Sequence, residues 1–94
     1  MAHCPYEKLK GMEPAFVEIR KFEKIKEPKP GIFYLKGQGF LHFHFKDDRI
    51  WADARDGKSW GAPIDVPGKI TKLFINTFTS EILKRYKRTI VQIN

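Results

Sequence analysis

His42 and His44 stand two residues apart in "FLHFHFK", and Asp53 follows in "RIWADAR". Side chains alternate along a β-strand, so the two imidazoles project from one face. If Asp47 and Asp48 form a two-residue turn, an antiparallel ladder sets Phe45 against Ile50, Phe43 against Ala52, His44 against Trp51 and His42 against Asp53. Two imidazoles and a carboxylate are a donor set that suits zinc, iron or manganese. The same residues would serve a metal- or small-ligand-dependent enzyme, with His42 or His44 as a general acid–base. Against this, one H-x-H has no spacing code as restrictive as paired C-x-x-C. An open sheet face also excludes little water, and no fourth protein ligand is evident. The expectation is therefore that no metal and no other cofactor is held. His42 should hydrogen-bond Asp53 or Tyr34, and His44 should stack near Trp51.

The same face has further chemistry. A three-residue turn at Gly37, Gln38 and Gly39 would set Tyr34 against His42, Ile32 against His44 and Phe33 against Phe43. Tyr34, His42, His44, Trp51, Asp53 and Arg55 then share one surface. Tyr34, Phe40 and Trp51, beside Lys36 and Arg55, have the stacking and charge that a nucleotide base or a single strand needs. The competing reading is plain cross-strand pairing of aromatic residues, which stabilises any exposed sheet face. A second copy of the chain covering this face, a homodimer, is a further alternative, since aromatic residues and Arg are common interface anchors.

The elements that must position these groups follow from pattern and punctuation. Pro14 suits the first turn of a helix, with Glu13 near its cap. Phe16, Ile19, Phe22 and Ile25 form one apolar face, and "EPKPG" stops the run. The strands "GIFYLK", "FLHFHFK" and "RIWADAR" come next, and "APIDV" adds a short piece that Pro63 confines to an edge. From Pro67 a long helix is expected, with Ile70, Leu73, Phe74, Thr77, Phe78, Ile82 and Tyr86 as its stripe. Thr79 and Ser80 are candidate interruptions, and "TIVQIN" is extended or frayed. The predicted fold class is α+β: an antiparallel meander of three to four strands, with N- and C-terminal helices on one face. Phe33, Leu35, Leu41, Phe43, Phe45, Ile50, Ala52 and Ala54 form the predicted core face. A one-residue slip would bury the histidines, so the apolar pattern selects this register.

Length and charge bound the rest. Residues 1–94 make one domain with one modest core. Eighteen Lys and Arg against eleven Asp and Glu give a net charge of +7. That favours anionic partners, nucleic acid or an acidic protein. In "KRYKR", Lys84, Arg85, Lys87 and Arg88 are the nucleic-acid contact candidates, although basic residues in a last helical turn also complement its dipole. Cys4 is the only cysteine, so no intramolecular disulfide forms and a cytoplasmic setting is expected. No run has the length and apolarity of a membrane span, and no signal-peptide core is present.

The stretch "KPGIFYLKGQGFLHFHFKDDRIWADAR" resembles a family of small bacterial proteins of unknown function, in which a K-P-G-x-F-Y strand precedes F-L-H-F-H, an A-D strand and a helix. The H-F-H core is also faintly similar to luciferase-like domains. The resemblance implies a small α/β-containing domain, and it adds interest to Tyr34, His42, His44, Asp53 and Trp60 without implying an activity. The function expected from all of this is a non-enzymatic binding module that uses the polar and aromatic face of its sheet.

Overall fold

The computed structural model describes residues 3–93. A 3₁₀ helix, Tyr6–Met12, runs directly into helix α1, Glu13–Ile19. Six strands follow: β1 Ile25–Lys29, β2 Ile32–Leu35, β3 Gln38–Lys46, β4 Arg49–Asp56, β5 Ser59–Trp60 and β6 Ile64–Val66. Helix α2, Lys72–Gln92, closes the chain. All the strand pairs are antiparallel, in the order β1-β2-β3-β4-β5, with β6 also paired to β4. The fold is α+β, with the apolar faces of both helices against one side of the sheet.

Alternation explains which side. Phe33, Leu35, Leu41, Phe43, Ala52 and Ala54 are buried beneath the helices. Phe16 of α1 packs on Phe33 and Phe43, with ring centroids 5.5 and 5.6 Å apart, and Phe78 of α2 reaches Phe43 at 5.9 Å. The small side chains of Ala52 and Ala54 leave room for the long helix. Phe45 and Ile50, at the end of the hairpin, are only half-buried.

The β3–β4 register is the one expected: Phe45 pairs with Ile50, Phe43 with Ala52, His44 with Trp51 and His42 with Asp53. Asp47 and Asp48 both have positive φ, 51° and 59°, the conformation that matches a two-residue hairpin to the twist of its strands. The β2–β3 register differs from expectation. Lys36 (φ 52°) and Gly37 (φ 84°) make a two-residue turn, so Leu35 pairs with Gln38 and Tyr34 with Gly39. A bulge then sets Phe33 against Leu41. The residue it adds, Phe40, leaves the polar face and is fully buried, with its ring 6.2 Å from that of Tyr86.

Two further boundaries move. The N-terminal helix ends at Ile19 rather than running to Ile25, and residues 25–29 form strand β1. Lys24, with a left-handed φ of 68°, lies in the turn between the helix and β1. The residue before Pro28 is biased toward extended backbone, and Pro28 itself is tolerated because β1 lies at the sheet edge. Helix α2 starts five residues after Pro67, where the Thr71 hydroxyl accepts from Phe74 N–H at 3.1 Å. It passes through Thr79 and Ser80 without a break and takes in residues 89–92. Leu73 is 75% exposed, so it stands outside the apolar stripe. Among the described residues no helix is long and apolar enough to cross a membrane.

Candidate functional site: a histidine cluster between two tryptophans

The face of the sheet opposite the helices carries the site. His44 is 3% exposed. Its ring stacks on Trp51, with centroids 5.2 Å apart and planes 27° apart. Its Nε2–H donates to Asp53 Oδ2 at 2.8 Å. His42, half-buried, packs edge-on against His44 at 4.6 Å and against Trp60 at 4.9 Å. Expectation had His42 bonded to Asp53 or Tyr34, and the stacking of His44 on Trp51 is as expected. Asp53 is directly opposite His42 in the ladder but diagonal to His44, and it is the diagonal partner that it contacts. Diagonal neighbours in a twisted sheet remain within reach of long side chains.

The third histidine also arrives here. Strand β2 covers the edge of β3 only as far as Leu41. Beyond that the N-terminal segment takes over: Cys4 N–H donates to Phe43 C=O at 3.1 Å, and His3 forms a bridge with His44. The His3 ring lies 5.9 Å from that of His42 and 6.5 Å from that of His44. All three histidines of the chain therefore meet on one face. By alternation Cys4 points the other way, where it packs against the core, and burial raises its thiol pKa. His3 was not legible as a site residue: it lies far from His42 in the sequence, and only the vacant strand edge brings it near.

Trp60 owes its place to β5, in which it pairs with Arg55. It is 42% exposed, and the Arg55 guanidinium sits 4.6 Å over its ring while Arg55 Nε–H donates to Gly39 C=O at 2.6 Å. A cation over an indole face is attracted by the ring quadrupole.

The electrostatics favour neutral imidazole at His42. Burial lowers its pKa, the neighbouring His44 and His3 lower it further, and Asp53 opposes them. Among the described residues the buried Nδ1 atoms of both His42 and His44 have no hydrogen-bond partner. His44 can therefore present no free nitrogen to solvent as a general base.

One hollow adjoins the cluster and shares Tyr34, which is 40% exposed, with a second. The first, about 160 Å³, is lined by His3, Ile32, Tyr34, Gly39, His42 and Trp60 among others. The other, about 360 Å³, is lined by Lys24, Lys26, Pro28, Tyr34, Lys36 and Gly37. Their adjacency depends on β1, whose residues the sequence pattern divides between the end of a helix and the "EPKPG" stop.

The basic residues of α2 do not join this face. Arg85 is 6% exposed, donating to Glu81 Oε2 at 2.9 Å and to the Ala54 carbonyl at 3.2 Å. Arg88 pairs with Asp56 at 2.5 Å. Lys84 and Lys87 are exposed. The helix packs on the core side of the sheet, so its outer surface and the histidine cluster point away from each other. Arg85 is a strut between α2 and β4, and Gly61 leaves room for it: a Cβ there would come 2.5 Å from Arg85 Nη1. Compared with protein-family models, curated proteins and solved structures, the chain matches none.

Proposed function

We propose that this protein is a binding module for single-stranded nucleic acid, acting through the face that carries Tyr34 and Trp60. The observation that carries the reading is Tyr34, an exposed aromatic ring shared by a hollow rimmed with Lys24, Lys26 and Lys36 and a hollow walled by His42 and Trp60. A nucleotide needs such a pair. Phosphates are held by positive charge, and a base stacks on an aromatic face, worth about 1–3 kcal/mol per base. Arg55 over Trp60 adds charge beside the second ring. The overall charge of +7 supports the same class of partner. The single cysteine is consistent with a cytoplasmic protein, and a kinship with the small bacterial family of the F-L-H-F-H signature belongs to the same proposal.

The test is an anisotropy titration with short labelled oligonucleotides, read at several salt concentrations. Single strands should bind better than duplexes, and affinity should fall with salt. Tyr34→Ala and Trp60→Ala should each weaken binding about 5–100-fold, the stacking worth of one base. Lys24→Ala should lower the salt slope by about one phosphate's share. Binding that is unchanged by both aromatic substitutions would reduce the interaction to the nonspecific attraction of a basic protein and refute the proposal.

A further inference from the structure

We propose that His42, His44 and Asp53 form a site for a first-row divalent transition metal, with zinc the best-fitting ion and His3 the fourth ligand. The proposal stands apart from the nucleic-acid reading and rests on the histidine cluster alone.

Geometry is the first support. One ligand atom from each of His42, His44 and Asp53 lies within 4.8 Å of the other two. Donors on a common zinc ion, each bound at roughly 2.0–2.2 Å, stand about 3 Å apart. His44 Nε2 and Asp53 Oδ2 are 2.8 Å apart as a hydrogen-bonded pair, and the shared proton must leave for both to bind the ion. Two imidazoles on one such ion hold their ring centres about 4.5–5.5 Å apart, and His42 and His44 are at 4.6 Å. The His3 ring is slightly farther out, at 5.9 and 6.5 Å. The His3 backbone is held by the bridge to His44, so a change of side-chain rotamer is what must bring its imidazole onto the ion.

Chemistry is the second. A metal ligand must offer a lone pair, which a neutral imidazole has on its unprotonated ring nitrogen. The buried Nδ1 of His42 has no hydrogen-bond partner among the described residues and is available to an ion. Imidazole and carboxylate together select borderline ions such as zinc over magnesium or calcium, which prefer all-oxygen sites. The case against a metal at the level of sequence was an open sheet with no fourth ligand. The burial of His44 answers the first point, and His3, bridged to His44, is the residue proposed to answer the second.

The experiment is a titration of the metal-free protein with zinc chloride in competition with a chromophoric chelator, paired with cobalt(II) chloride followed by intrinsic fluorescence. Both tryptophans of the chain contact the proposed ligands, Trp51 on His44 and Trp60 on His42. One equivalent of zinc per chain is expected, and cobalt should quench most of the tryptophan emission at the same stoichiometry. Asp53→Asn and His42→Gln, each checked for folding by circular dichroism, should weaken zinc binding roughly tenfold or more. His3→Ala should weaken it as well, and Lys87→Ala should leave it unchanged. Uptake below half an equivalent by folded wild-type protein overturns the site. So does an affinity that Asp53→Asn and His42→Gln both leave intact.

Discussion

At the scale of single residues, burial separates groups that look alike in the sequence. "KRYKR" reads as a uniform basic tract, yet Arg85 lies under the helix with its guanidinium shared between Glu81 and the Ala54 carbonyl, whereas Lys84 and Lys87 face solvent. Truncating Arg85 removes both bonds and opens space beside Gly61. Arg85→Ala should therefore lower stability by about 1–3 kcal/mol, read from urea denaturation, as expected when a buried hydrogen-bonded group is lost. Lys84→Ala, on the same helix, should stay within about 0.5 kcal/mol of wild type. The histidines divide in the same way. His44 is locked between Trp51 and Asp53, while His42 keeps one side against Trp60 and a hollow.

At the scale of elements, the β3–β4 hairpin and helix α1 set the geometry. The turn at Asp47 and Asp48 puts two non-glycine residues at positive φ, with like charges side by side. Each left-handed residue costs roughly 1–2 kcal/mol, of which glycine's greater backbone entropy would return part. Asp48→Gly should thus stabilise the protein by about 0.5–1 kcal/mol and raise the thermal midpoint without moving the register. Helix α1 is two turns long, too short to persist alone, and it is held by Phe16. That ring packs against Phe33 and Phe43 and is fully buried. Phe16→Ala should cost about 3–5 kcal/mol, measured by urea denaturation, because the cavity would lie between helix and sheet.

At the scale of the whole molecule, surface ion pairs tie α2 to β4 and brace the two ends of α1, and they shape the acid limit of stability. Arg88 on α2 holds the Asp56 carboxyl below its ordinary pKa of 3.8. Arg20 and then Tyr6 do the same for Glu13, below an ordinary 4.5. A carboxylate whose pKa is lowered in the folded state contributes stability above its unfolded pKa and loses it as pH falls through the folded value. Stability should accordingly be flat in this contribution from neutral pH down to about pH 5 and decline below about pH 4. Urea midpoints measured across pH 3–7 check this. Arg88→Gln should flatten part of the decline, and added salt should do likewise, since both pairs are exposed.

The sequence alone determined whatever depends on neighbours along the chain. Strict alternation in "FLHFHFK" and "RIWADAR", joined by a two-residue turn, made the α+β class, the β3–β4 register and the shared face of His42, His44, Trp51 and Asp53 legible, because a one-residue slip would exchange core for surface. What long-range packing decides was not legible. The bulge that buries Phe40, the strand at residues 25–29, the indole of Trp60 over His42, the burial of Arg85 and the placing of His3 on the free edge of β3 all depend on partners far away in the chain. No local period encodes a vacant strand edge, and His3 comes to the cluster only because β2 stops short of Phe43 and leaves the backbone groups there to be paired.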